Sequence, residues 1–256
     1  MLRLICAPIL AFALAPMLCA QCQCNPVGSP PYGGCYTWNY SSCSWQATSC
    51  GSSPIVIDIS GNGFHLTSAS DGVMFDFFGT GHPIKIAWTA SGARNAWLVL
   101  DRNGNGVIDS GKEMFGNLTD QPPSPDRNGF LALAEFDKRE NGGNSDGIID
   151  SRDSVFSRLR LWVDRNHNGI SEPEELFPLP ALGVHSIDLK YRESKRQDQF
   201  GDIFRYRGIL NGTGPRSEAI INKWAYDVFL MVEASGAISV FRNIDGQPGL
   251  FADLQP

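Results

Sequence analysis

Asp164-Arg165-Asn166-His167-Asn168-Gly169-Ile170-Ser171-Glu172-Pro173-Glu174-Glu175 decides how the rest of the chain is read. Oxygen-bearing side chains fall at positions one, three, five, nine and twelve (Asp164, Asn166, Asn168, Glu172, Glu175), and Gly169 falls at six. A hard divalent cation takes roughly six to eight oxygens at about 2.4 Å. A short loop delivers them only if alternate side chains turn inward and the chain reverses at its middle, where glycine admits positive φ. The main-chain carbonyl of Ile170 fills position seven, and Glu175 closes the shell. This is the ligand spacing of an EF-hand-type calcium loop. An ordinary Asn-Gly turn accounts for Asn168 and Gly169 and leaves Asp164, Glu172 and Glu175 unexplained. Position eight, usually branched and apolar, is Ser171, and the apolar residue Ile170 stands at seven.

Working outward, two more loops share the pattern. Asp101, Asn103, Asn105 and Asp109 take positions one, three, five and nine, with Gly106 at six and the Val107 carbonyl at seven. Lys112 at twelve cannot ligate, so Gly111 is expected to let the loop run one residue longer and close on Glu113. Further on, Asn144, Asp146, Asp150 and Asp153 fit positions three, five, nine and twelve, with Gly147 at six and the Ile148 carbonyl at seven. Asp137 heads this loop if residues 138–143 bulge outward. Two shorter Asp-x-x-Gly-x-Gly turns begin at Asp58 and Asp76. Asp58, Ser60 and Asn62 make a weak candidate site; Phe78 and Thr80 in the other turn remove its ligands.

Around these loops the pattern alternates between short strands and short helices. Strand-like runs cover 55–59, 73–77, 84–89, 96–100, 184–191 and 203–210, with 192–202 as a charged connection. A last hairpin pairs 226–233 with 237–244. Asn128 caps a helix whose apolar face is Phe130, Leu131, Leu133, Ala134 and Phe136. A second helix is expected over 154–161, and Ser171-Glu172-Pro173-Glu174 reads as a capping box opening a third. The 137–153 and 164–175 loops should then sit back to back. The fold class expected is α+β: a short-stranded, β-rich domain with helix-loop-helix calcium sites.

The chain has 256 residues, 27 Gly, 16 Pro and a net charge of −6. That suits a turn-rich globular chain and, with no basic cluster, excludes a nucleic-acid partner. Residues 1–20 read as a signal peptide, with Arg3 before an apolar run over 4–18, so the protein is expected to be secreted; no later run is long enough to span a membrane. Cys22, Cys24, Cys35, Cys43 and Cys50 crowd into 21–53 and are disulfide candidates, one of them left over. Zinc is the rival reading, without paired C-x-x-C units. Tyr36, Trp38, Tyr40 and Trp45 are the core of such a knot or, in the alternative, a sugar platform.

Three runs carry a resemblance: P-I-V-I-D-I-S-G-N-G-F-H-L at 54–66, L-D-R-N-G-N-G-V-I-D-S-G-K-E-M-F-G at 100–116, and L-R-L-W-V-D-R-N-H-N-G-I-S-E-P-E-E-L at 159–176. They resemble the calcium-binding segment of secreted bacterial EF-hand proteins and of large haemolysin-like (RTX-type) exoproteins. The resemblance covers roughly 54–210. It implies bacterial origin, export and Ca2+ binding, and no catalytic activity. The organisation expected is a signal peptide over 1–20, a cysteine-rich segment over 21–53, a calcium-binding domain over 54–210, and a C-terminal hairpin and tail over 211–256. The function expected is non-catalytic calcium binding. A calcium-supported adhesin with a cell-surface or glycan ligand is the alternative, and a secreted hydrolase comes last. No H-E-x-x-H or phosphate-loop sequence occurs. His65, His82, His167 and His185 are scattered, and His167, at loop position four, is expected to face solvent.

Overall fold

Ile55, Val56 and Ile57 run without a polar break, as do Ala96, Trp97, Leu98 and Val99. Such runs suit strands covered on both faces. A computed structural model of the chain describes residues 36–39, 44–47, 52–211 and 224–233. In chain order its strands are β1 (Tyr36–Asn39), β2 (Ser44–Ala47), β3 (Ile55–Asp58), β4 (Val73–Phe75), β5 (Ile84–Ile86), β6 (Asn95–Val99) and β7 (Ile148–Asp150). They continue as β8 (Arg160–Trp162), β9 (Leu176–Pro178), β10 (Ser186–Asp188), β11 (Arg192–Gln197), β12 (Ile203–Ile209) and β13 (Trp224–Phe229). Seven of them form one antiparallel sheet in the order β11-β12-β13-β3-β6-β8-β9.

Every residue of β3 and β6 is buried. One face of the sheet sets Ile55, Ile57, Leu98 and Leu161 against Phe115, Phe130, Leu133 and Leu159. The other sets Val56, Trp97, Val99 and Trp162 against Phe75, Phe77 and Trp88. On that second face the Trp88 ring lies 4.9 Å from Trp97 and 5.3 Å from Trp162. The β4–β5 hairpin therefore lies as a lid over the sheet, and its aromatics fill the space beneath.

Among the described residues there is one α-helix, α1 (Gly129–Ala134). Asn128 caps it as expected, its side chain accepting from the N–H groups of Phe130 and Leu131, both at 3.0 Å. The helix stops after six residues, and i→i+3 bonds from Phe136 to Leu133 and from Asp137 to Ala134 tighten the chain into the next loop.

The expected α+β class with helix-loop-helix sites is therefore corrected: among the described residues the regular structure is mostly antiparallel sheet, with one α-helix. The helix expected over 154–161 gives way to turns and β8, whose residues pair with β6 and β9. The expected capping box does not form either. Glu172 makes no side-chain cap; a three-residue 3-10 turn, Pro173–Glu175, leads directly into β9. In both places an amphipathic pattern that suits a short helix is overridden by sheet pairing that buries Leu161 and Trp162. The charged connection at 192–202 begins as β11, an exposed edge strand whose Arg, Glu and Lys side chains discourage further pairing. β13 lies between β12 and β3. The signal peptide, the five cysteines with any disulfides, and the expected strand at 237–244 lie outside the described residues.

Candidate metal centre

Five aspartates turn the chain over their own carboxylates. Oδ2 of Asp58, Asp76, Asp101, Asp137 and Asp164 accepts the N–H of Gly63, Gly81, Gly106, Gly147 and Gly169 at 2.7, 2.7, 2.9, 2.8 and 2.9 Å respectively. These glycines have φ between +71° and +105°. Two residues before each lies a second left-handed position: Gly61, Gly79, Gly104, Ser145 and His167, with φ between +60° and +76°. The glycines were legible in the sequence. Ser145 and His167 were not, because neither residue type announces a positive φ.

Three of the five turns continue into loops closed by a second carboxylate. Glu113 accepts from the N–H of Arg102 and of Asp109, both at 3.0 Å, so closure falls on Glu113 and Lys112 turns away to Gly79. Asp153 accepts from the N–H of Asn144 at 3.1 Å and of Asp150 at 2.8 Å. Glu175 accepts from Arg165 N–H at 2.7 Å and from the Trp162 indole at 3.3 Å. The intervening side chains repeat as well. Oδ1 of Asn103, Asn105, Asn144, Asp146, Asn166 and Asn168 each accepts the N–H two residues on, at 2.7 to 3.2 Å. Asp137 does head its loop, and residues 138–143 bulge out around a 3-10 turn, Arg139–Asn141.

The Asp58 and Asp76 turns lack this second half. Oδ1 of Asp58 accepts from the N–H of Ser60 and Gly61, and the Ser60 hydroxyl donates to Asn62 at 2.6 Å. Its ligand set is thus engaged within the turn itself.

The loops also pair differently from the back-to-back arrangement expected. The 101–113 and 164–175 loops meet through their eighth positions: Ser171 Oγ accepts the Ile108 N–H at 2.6 Å and donates to the Ile108 carbonyl at 3.3 Å. The 137–153 loop pairs elsewhere, Ile149 of β7 standing opposite Ile187 of β10. Loop position four is not solvent-facing in the 164–175 loop. The His167 ring nitrogens lie 2.7 Å from the carbonyl oxygens of Thr89 and Asp71, which fastens the loop to the β4–β5 region.

Carboxylates crowd together in these loops. Burial pushes the Glu175 carboxyl up, and the neighbouring carboxylates of Glu172 and Asp164 add to this. Glu172 is held low by the Asn168 amide, and its Oε2 is buried without a hydrogen-bond partner. Burial likewise raises Asp153, with Asp137 and Asp150 contributing. In that loop a protein cation already sits among the candidate ligands: Arg152 Nη2 lies 2.6 Å from Asp146 and 2.7 Å from Asp150. Its hydrogen bond holds Asp150 below the usual range. Among the described residues no group of three His, Cys, Asp or Glu side chains forms a metal cage by itself. A site here would draw on asparagine amide and main-chain carbonyl oxygens, which suits a hard cation such as calcium and not a soft one.

Residues 55–224 match the SPM domain family. The chain is also 36% identical over 163 residues to the iron-regulated protein FrpA of Neisseria meningitidis serogroup C, a match covering 62% of this chain and 14% of that protein. The chain thus spans a small part of that relative's length. The family match and the single α-helix together overturn the placement among secreted EF-hand proteins, whose helix-loop-helix units are absent from the described residues. On the extent of the match, the chain belongs to the SPM domain family.

Proposed function

We propose that the chain is a non-catalytic calcium-binding module in which Ca2+, held by loops between strands, completes the fold outside the cell. One observation carries the reading: three loops of different length each end in a carboxylate that accepts main-chain N–H of its own loop, two such groups at Glu113 and Asp153 and one at Glu175. Turns alone need no such second carboxylate, as Asp58 and Asp76 illustrate. Asp164, Asn166, Asn168, Glu172, Glu175 and the Ile170 carbonyl would hold one ion, and the corresponding residues of the 101–113 and 137–153 loops two others. Neutral Asn at positions three and five of the 101–113 and 164–175 loops suggests dissociation constants of about 10⁻⁴ to 10⁻³ M, a range met outside cells and not within them.

Export rests on the apolar run at 4–18; among the described residues no helix is long and apolar enough to cross a membrane. Bacterial origin is in keeping with the relative from Neisseria meningitidis. The test is thermal melting of the full chain with calcium and with chelator. The expected result is a higher Tm with calcium, and equal Tm values would sink the reading. Calorimetric titration of Glu175→Gln should remove one site's heat.

A second reading, a calcium-supported adhesin with a glycan ligand, is favoured by the register of β1 and β2, which sets Trp38 opposite Trp45. Glycan-array binding that disappears in Trp38→Ala and Trp45→Ala would support it.

A further inference from the structure

The 101–113 and 164–175 loops are joined at one point. Ser171 and Ile108 are each 2% exposed, and the Ser171 hydroxyl both accepts from the Ile108 N–H and donates to the Ile108 carbonyl. A main-chain bridge between two such loops would use two N–H and two C=O groups. Here one side chain supplies both bonds to a single residue of the partner loop. The neighbours of each residue are the proposed ligands: Val107 and Asp109 flank Ile108, and Ile170 and Glu172 flank Ser171. Fixing the position-seven carbonyl and the position-nine carboxylate of one loop therefore fixes the residue between them, and through the hydroxyl its counterpart in the other loop.

Resting on the calcium reading above, we propose that Ser171 is a positioning residue that couples the two loops, so that an ion in one raises the affinity of the other. An apolar residue at 171 would leave the Ile108 N–H and carbonyl buried without these partners, and the loops would bind independently. This accounts for the serine standing where a calcium loop usually carries a branched apolar residue.

The 164–175 loop has its own reporter. The indoles of Trp88 and Trp162 donate to Asp164 and Glu175, so their emission reads that loop, while calorimetry reads total binding. The experiment titrates CaCl2 into the full chain, Glu113→Gln, Ser171→Ala and the double variant. Glu113→Gln, which cripples the 101–113 loop, should weaken the calcium response of the tryptophans about tenfold when Ser171 is present. It should have no effect on them in the Ser171→Ala background, and Ser171→Thr, which keeps the hydroxyl, should restore the coupling. An equal effect of Glu113→Gln in both backgrounds, or none in either, overturns the coupling and leaves calcium binding standing. Absence of both heat and emission change in the unaltered chain overturns the calcium reading itself. If Ser171→Ala unfolds at the assay temperature, Ser171→Cys, with its weak hydrogen-bonding group, carries the same comparison.

Discussion

The indole N–H of Trp88 donates to Asp164 Oδ2 at 2.8 Å, joining the strand region after β5 to the head of a loop 76 residues later. Both residues are buried, and Trp88 also packs against Trp97 and Trp162 on the sheet. Loop and core are therefore one unit. Trp88→Phe keeps much of the ring and removes the donor. It should lower stability by about 2–3 kcal/mol in urea unfolding. An unchanged midpoint would show that the bond contributes nothing.

Arg152 competes for the second loop. Its guanidinium holds Asp146 and Asp150, two residues that the ion would need. Arg152→Gln should raise the calcium affinity of the 137–153 loop several-fold at low ionic strength, and added salt should narrow the difference. Calorimetry on the two proteins checks this, and equal affinities would rule out competition.

Two glycines separate conformational strain from collision. Gly106 has φ +86° with nothing within 4 Å of a built Cβ, so Gly106→Ala should cost only about 1 kcal/mol of left-handed strain. At Gly116 the same carbon would lie 1.5 Å from the Ser53 carbonyl oxygen, where backbone must move. Gly116→Ala should cost at least about 3 kcal/mol. Thermal melting of both variants decides it, and similar losses would contradict the packing described.

Asp227, in the interior strand β13, is fully buried. Burial pushes its carboxyl up to about 7, against the pull of the Gly129 N–H, the Ser53 hydroxyl and the Arg205 charge. Its Oδ1 has no hydrogen-bond partner. Between an unfolded value of about 4 and about 7, the folded chain keeps a proton that the unfolded chain loses. Stability should therefore fall as pH rises through that window, by on the order of 4 kcal/mol, and level off above it. Asp227→Asn should flatten the profile between pH 4 and 7, as read from chelator-treated protein in urea. A wild-type slope retained in the variant would assign it to other groups.

The sequence alone determined the local chemistry. Asp, Asn and Gly at fixed offsets dictate turns over a carboxylate, because their hydrogen bonds stay within one loop of the chain. The Asn128 cap, the bulge after Asp137 and closure on Glu113 were legible for that reason. The tertiary structure decided what surrounds them. Segments 154–161 and 171–177 are short enough to be helix or extended, and the choice went to the sheet because Leu161 and Trp162 are buried there between β6 and β9. Ser171 looked like a flaw in its loop until Ile108, 63 residues away, supplied its partner. Trp88 and His167 carry no local signal, since their partners come from distant strands and turns. Spacing wrote the loops; long-range burial selected sheet over helix and chose which loops meet.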